Sequence, residues 1–135
     1  MISYPIENVN VAAFELMPSP DEIKLRVPVT DRAAQTVIDG RETLKRIIER
    51  KDHRLFVVVG PCSIHDYDAA IDYATRLAAQ KRELAADLIV VMRVYFEKPR
   101  TSTGWKGFIN DPHLDDSFHI EEGMQRAREF LLSVA

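Results

Sequence analysis

Behind Thr30 and Asp31, either of which can cap a helix, the apolar residues Ala34, Val37, Ile38, Leu44, Ile47 and Ile48 mostly keep a three-to-four spacing. They predict an amphipathic helix, weakened or bent in its middle by Gly40. From Leu55 to Val59 the pattern becomes a continuous apolar run closed by Gly60-Pro61, as expected for a parallel strand buried on both faces. Ala70, Ile71, Ala74, Leu77, Ala78 and Leu84 then mark a second amphipathic helix, and Leu88 to Tyr95 repeats the buried-strand pattern. A last helix is predicted from Ile120, Met124, Ala127, Leu131 and Val134. Ahead of all this, residues 1–29 hold no sustained period. Pro18-Ser19-Pro20 gives a turn signal, and Ile23, Leu25 and Val27 alternate like a short strand. Residues 1–30 therefore read as an arm, and residues 31–135 as a helix followed by two βα units.

The two strands begin about 33 residues apart with a helix between them, which implies a right-handed crossover joining parallel strands. That spacing fits a (β/α)8 barrel, at roughly 31 residues per unit, and fits a doubly wound sheet equally well. The stretch from Phe96 to Asp116 is far longer than the roughly two to six residues usual for a βα connection. Trp105, Phe108 and Ile109 within it favour an ordered loop over a solvated linker.

Composition narrows the classes of function. With 135 residues, 46% of them hydrophobic and 29% charged, the chain can bury one core, and its apolar runs fall far short of the roughly 18 residues of a membrane span. The first twenty residues contain Glu7 and Glu15 and no Lys or Arg, unlike a secretory leader. The single cysteine, Cys62, excludes an internal disulfide framework. A cytoplasmic protein that binds neither membrane nor nucleic acid is expected, the latter because the net charge is −3. The charge is uneven, however. Arg93, Lys98, Arg100 and Lys106 stand against the single anion Glu97, which makes this stretch a candidate anion site.

Ligands of parallel α/β sheets bind beyond the carboxyl ends of the strands. Both informative loops leave from such ends, so Cys62, His65, Arg93, Lys98 and Arg100 are expected near one another if the strands are neighbours. Cys62 is either a metal ligand or nucleophile, or a small buried hydrophobe; with His65 alone it does not make a metal site. Arg93, Lys98 and Arg100 suit phosphate and carboxylate groups, against the reading of a solvated charge face paired with Glu97 and Asp111. Arg93, inside an apolar strand, needs an anionic partner. Tyr95, Phe96 and Trp105 read as loop packing in preference to a nucleic-acid stacking platform. His113 and His119 read as surface or capping histidines.

Three blocks, Val59-Gly-Pro-Cys-Ser-Ile-His-Asp66, Val91-Met-Arg-Val-Tyr-Phe-Glu-Lys-Pro-Arg-Thr101 and Gly104-Trp-Lys-Gly-Phe-Ile-Asn-Asp-Pro-His113, occur in order. Together they resemble the microbial class I 3-deoxy-D-arabino-heptulosonate 7-phosphate synthases. The resemblance implies a metal-dependent (β/α)8 barrel that condenses phosphoenolpyruvate with erythrose 4-phosphate at the start of the shikimate pathway, as a homo-oligomer. It implies that Cys62 is a ligand of a divalent metal ion, and that Arg93 and Lys98 are catalytic and hold phosphoenolpyruvate. Pro99, Arg100 and Thr101 would receive erythrose 4-phosphate. Ser102 departs from the threonine common in the family. Length departs more: the residues beyond Arg54 suffice for about two and a half units of roughly 31, whereas a barrel needs eight. The chain is thus expected to be an N-terminal piece of the synthase, incomplete as a barrel and inactive alone. Its uncovered strand faces and edges would leave it poorly folded or self-associating. A noncatalytic truncated homologue that docks on full-length subunits, or a small phosphate-binding module, are the alternative readings.

Overall fold

The computed structural model describes residues 6–11, 13–98 and 103–135. Its elements are α1 (Pro20–Arg26), α2 (Asp31–Ile48), β1 (Leu55–Val59), α3 (Tyr67–Glu83), β2 (Leu88–Met92) and α4 (Ile120–Val134). No helix among the described residues is long and apolar enough to cross a membrane.

Helix α1 corrects the expectation of a strand at Ile23, Leu25 and Val27. Ser19 caps it and forms a reciprocal box with Glu22, whose Oε2 accepts from the Ser19 amide at 2.7 Å, while Pro20 occupies the first turn. Spacing four apart puts Ile23 and Val27 together in the buried side, and Leu25 between them is 81% exposed. A carbonyl of the same segment, that of Val27, accepts from Arg128 Nε of α4, and Arg26 pairs with Glu121. The segment is tied down onto α4 at this end.

Helix α2 follows its expected course, with the Thr30 hydroxyl accepting from the Ala33 amide at 3.2 Å, and runs unbroken through Gly40. Strands β1 and β2 pair in parallel, from Leu55 opposite Leu88 to Val59 opposite Met92, with α3 between them in sequence. Strand β2 ends at Met92 and not at Tyr95. The reason is its neighbour: β1 turns away at Gly60-Pro61, and proline offers no amide to extend the ladder. The expected burial of β1 on both faces is also corrected. Leu55 is 68% exposed and Val58 57%, because no described element covers them; Val90 of β2 is 7% exposed.

The core lies beyond the carboxyl ends of the strands, not between sheet and helices. Ile64, Ala70, Phe96, Phe108, Ala127 and Phe130 cluster there. Phe130 of α4 meets Phe96 edge to face at 6.0 Å and Tyr67 at 5.5 Å, geometries favoured by the ring quadrupole. The described residues of the long loop after β2, 96–98 and 103–116, pack into this cluster through Phe96 and Phe108, as the loop's aromatic content predicted. Its turn is organised by Asp111, which is buried: its carboxylate accepts from the amides of Asp115 and Asp116, both at 3.3 Å, and its carbonyl accepts from Trp105 Nε1 at 2.8 Å.

Candidate anion site at the carboxyl ends of the strands

The loop after β1 is stitched to the chain leaving β2. The Arg93 amide donates to Val59 O at 2.7 Å, the Ile64 amide to Tyr95 O at 2.8 Å, and Ser63 Oγ to Glu97 O at 3.2 Å. A further pairing, Glu97 with Gly107, folds the segment after β2 back on itself: the Phe108 amide donates to Phe96 O at 2.8 Å and the Lys98 amide to Lys106 O at 3.3 Å. Gly107 sits at φ 113°, where a Cβ would meet Phe96 O at 2.6 Å, so glycine is required at this turn. Asp66 closes the first loop by accepting from the Ala69 amide at 2.8 Å at the start of α3.

Three of the expected site residues converge on this scaffold. Lys98 Nζ lies 3.1 Å from Cys62 Sγ. The Arg93 guanidinium donates to the carbonyls of Pro61 and Cys62, the latter at 2.8 Å, and stands over the Tyr95 ring at 4.7 Å. Among the described residues, Arg93 makes no ion pair with a carboxylate. The expected anionic partner is thus replaced by two carbonyl dipoles and a ring face, which satisfy the half-buried cation and hold its position beside the thiol.

The solvated-face reading of the cations is not borne out at the carboxylates it named. Asn110 Nδ2 donates to the Glu97 carboxylate at 3.1 Å, and the Asp111 carboxylate serves loop amides. Cys62 itself is exposed, which corrects the reading of it as a small buried hydrophobe. His65 is not brought onto Cys62; its ring meets Trp105 edge to face at 6.4 Å. Pro99, Arg100 and Thr101 lie outside the described residues. The aromatics do not form a stacking platform: Phe96 is buried and Trp105 is anchored through its indole N–H.

Sequence reasoning gave His113 no partner, yet its Nε2 lies 3.0 Å from Glu122 Oε2 and its ring meets His119 at 5.6 Å. The bond to His113 holds the Glu122 carboxyl below its ordinary range. Ser63 was also passed over. A serine in a short loop carries no pattern, and only the approach of the second loop reveals the hydrogen bond that helps register the two.

The arrangement presents two cations and a thiol on an open face at the ends of parallel strands, a setting for an anionic ligand. A divalent metal ion is another matter. It needs about four donors, and no group of three His, Cys, Asp or Glu side chains that could hold one occurs among the described residues. The described residues do not make a metal site by themselves.

Comparison with known proteins places this geometry. Residues 26–131 match the family model described as the DAHP synthetase I family. The Phe-sensitive phospho-2-dehydro-3-deoxyheptonate aldolase of Escherichia coli K12 is 53% identical over 120 residues, covering 89% of this chain and 34% of that protein. The phospho-2-dehydro-3-deoxyheptonate aldolase of Corynebacterium glutamicum is 51% identical over 127 residues, covering 94% of this chain and 35% of that protein. A solved structure of the aldolase of that name from Francisella tularensis SCHU S4 superposes with a TM-score of 0.83 at 43% identity, covering 93% of this chain and 37% of that one. The chain spans about a third of the length of these relatives. The match takes in α2, α3, both strands and most of α4, and the chain belongs to the DAHP synthetase I family.

Proposed function

We propose that the chain supplies the first βα units of a (β/α)8 barrel that condenses phosphoenolpyruvate with erythrose 4-phosphate, the first step of the shikimate pathway. In this reading residues 1–30 are the arm and residues 31–135 begin the barrel, which works as a homo-oligomer in the cytoplasm. The observation that carries it is the convergence of Arg93 and Lys98 beside Cys62 at the carboxyl ends of β1 and β2, where barrel enzymes hold their substrates.

The division of labour follows from charge and geometry. Arg93, held by the Pro61 and Cys62 carbonyls and the Tyr95 ring, presents a planar fork that holds the carboxylate and phosphate of phosphoenolpyruvate. Lys98, on a flexible stem, places a point charge by the reacting carbon and steadies the negative charge that develops there. Pro99, Arg100 and Thr101 receive erythrose 4-phosphate, with Arg100 on its phosphate. Cys62 would contribute one soft donor to a divalent ion whose other donors would come from outside the described residues; when bound, such an ion would supply Lewis-acid polarisation of a carbonyl oxygen. With one donor and part of the cation set, the 135-residue chain alone does not turn over.

The test is a chimaera. The stretch of the Escherichia coli Phe-sensitive relative that matches residues 26–131 is replaced by this chain's residues, and phosphate release from the two substrates is followed. Turnover that disappears with Lys98→Ala supports the reading. A folded chimaera without turnover, or one indifferent to Lys98→Ala, overturns it.

A further inference from the structure

We propose that Cys62 and Lys98 are the two ends of a reversible covalent redox link, a nitrogen–oxygen–sulfur bridge formed with dioxygen as the oxidant. The amine and the sulfur are 3.1 Å apart, a separation that one bridging oxygen atom spans after a small inward movement of the lysine stem. The thiol is exposed, so a small oxidant reaches it.

The backbones that carry the two side chains are registered on each other. On the cysteine side, the Pro61 and Cys62 carbonyls are held by Arg93, and the Ile64 amide is bonded to Tyr95 O. On the lysine side, the Lys98 amide is bonded to Lys106 O, and the Glu97 carbonyl takes the Ser63 hydroxyl. Each partner is thus fixed to the other's loop within a residue or two. Cys62 is the single cysteine of these 135 residues, so they hold no second thiol to form a disulfide with it. The Lys98 amine lies within reach to share an added oxygen atom.

The step balances. Cys62 as the thiol, Lys98 as the ammonium and one dioxygen give the S–O–NH bridge, one water and one proton released to solvent. The S–H bond, two N–H bonds and the O–O bond break; S–O and N–O bonds form, and two hydrogens leave on the second oxygen. Sulfur and nitrogen each lose two electrons, and dioxygen accepts four. Two equivalents of a dithiol, supplying four electrons and four protons, return the thiol and the amine and release the bridging oxygen as water. The bridged lysine carries no ammonium charge and the bridged sulfur is no longer a thiolate donor, so the site would be closed to anion and metal alike. That consequence rests on the proposed function; the bridge itself rests on the two side chains alone.

The purified chain is aerated, digested with trypsin without reductant and analysed by mass spectrometry, beside a sample kept anaerobic. Peptides 55–76 and 94–100 are expected as one species, heavier than their sum by one oxygen and lighter by two hydrogens. Reductant should return both peptides. Lys98→Arg and Cys62→Ser should each lack the species, and in Lys98→Arg the Cys62 sulfur should go on to irreversible oxygen acids. The proposal is overturned if Cys62 of the aerated wild-type chain stays a thiol, is oxidised only within peptide 55–76, or is captured only as a disulfide to a second chain. Because the readout is mass and not turnover, failure of the bridge and failure of the synthase reading are separate results.

Discussion

A methyl group placed on Gly60 would stand 2.2 Å from the carbonyl oxygen of Arg93 and 2.9 Å from its Cβ. The two chains close on each other just past the end of the ladder, where the Arg93 amide still reaches Val59 O at 2.7 Å. Neither obstacle can swing aside, since one is backbone and the other is the root of a side chain. Gly60→Ala is therefore expected to cost about 1–3 kcal/mol and to pull Arg93 off the Pro61 and Cys62 carbonyls. Urea unfolding followed by Trp105 fluorescence measures the first effect; an unchanged midpoint would count against the close approach.

The helical glycines should respond in opposite directions. A Cβ on Gly40 meets nothing within 4 Å, so Gly40→Ala is expected to stabilise α2 by about 0.5–1 kcal/mol through helix propensity and a less flexible unfolded chain. On Gly123 it would lie 2.1 Å from the Ile109 carbonyl oxygen. Gly123→Ala should thus lose more by separating α4 from the loop than it gains in propensity, a net loss of about 1–2 kcal/mol. Thermal unfolding of the two variants should move on either side of the wild type.

Truncation should hurt where the aromatic core lies, not in the first strand. Phe130 is fully buried against Phe96 and Tyr67, and Phe130→Ala is expected to cost about 3–5 kcal/mol. Leu55→Ala, at a residue 68% exposed, should fall within about 0.5 kcal/mol. Near-ultraviolet circular dichroism and denaturant midpoints separate the two; equal losses would contradict the placement of the core.

Acid should act through the staple that precedes β1. Arg54 holds the Asp52 carboxyl well below its ordinary value of 3.8, first through side-chain bonds, including Nη2 to Oδ2 at 2.7 Å, and then through its amide at 3.1 Å. A carboxyl depressed in the folded state adds stability above its unfolded pKa, and that contribution is lost as pH falls through the folded value. The stability gap between wild type and Asp52→Asn should therefore be constant near about pH 6 and begin to close below about pH 4. A gap that widens toward acid would reverse the assignment.

The two substrates should be separable by substitution in the chimaera. Lys98→Ala is expected to lower turnover as well as phosphoenolpyruvate affinity. Arg100→Ala should act chiefly on erythrose 4-phosphate, with a loss of about 1.5–3 kcal/mol for one charge-assisted contact. Steady-state kinetics in each substrate checks both, and unaltered erythrose 4-phosphate kinetics in Arg100→Ala would refute the division.

The elements with long, uniform patterns were legible in the residues alone. Thr30 and the three-to-four spacing after it specify α2, and two apolar runs joined by a helical stretch specify parallel strands, because local periodicity and handedness leave little choice. That Cys62, Arg93 and Lys98 lie near one another was legible too, since both of their loops leave the carboxyl ends of adjacent strands. Other features belong to no local pattern. Ile23, Leu25 and Val27 satisfy both a strand's alternation and a helix's spacing of four; the Ser19–Glu22 box and the docking of Arg128 on the Val27 carbonyl decide for the helix. Whether an apolar run such as Leu55 to Val59 is covered depends on what packs against it, which the run does not encode. That Arg93 is satisfied by carbonyls, and that Lys98 meets Cys62 across 36 positions of sequence, follow only once the register of β1 on β2 brings two separate loops together. Periodicity is a property of neighbours in the chain; a site is a property of neighbours in space.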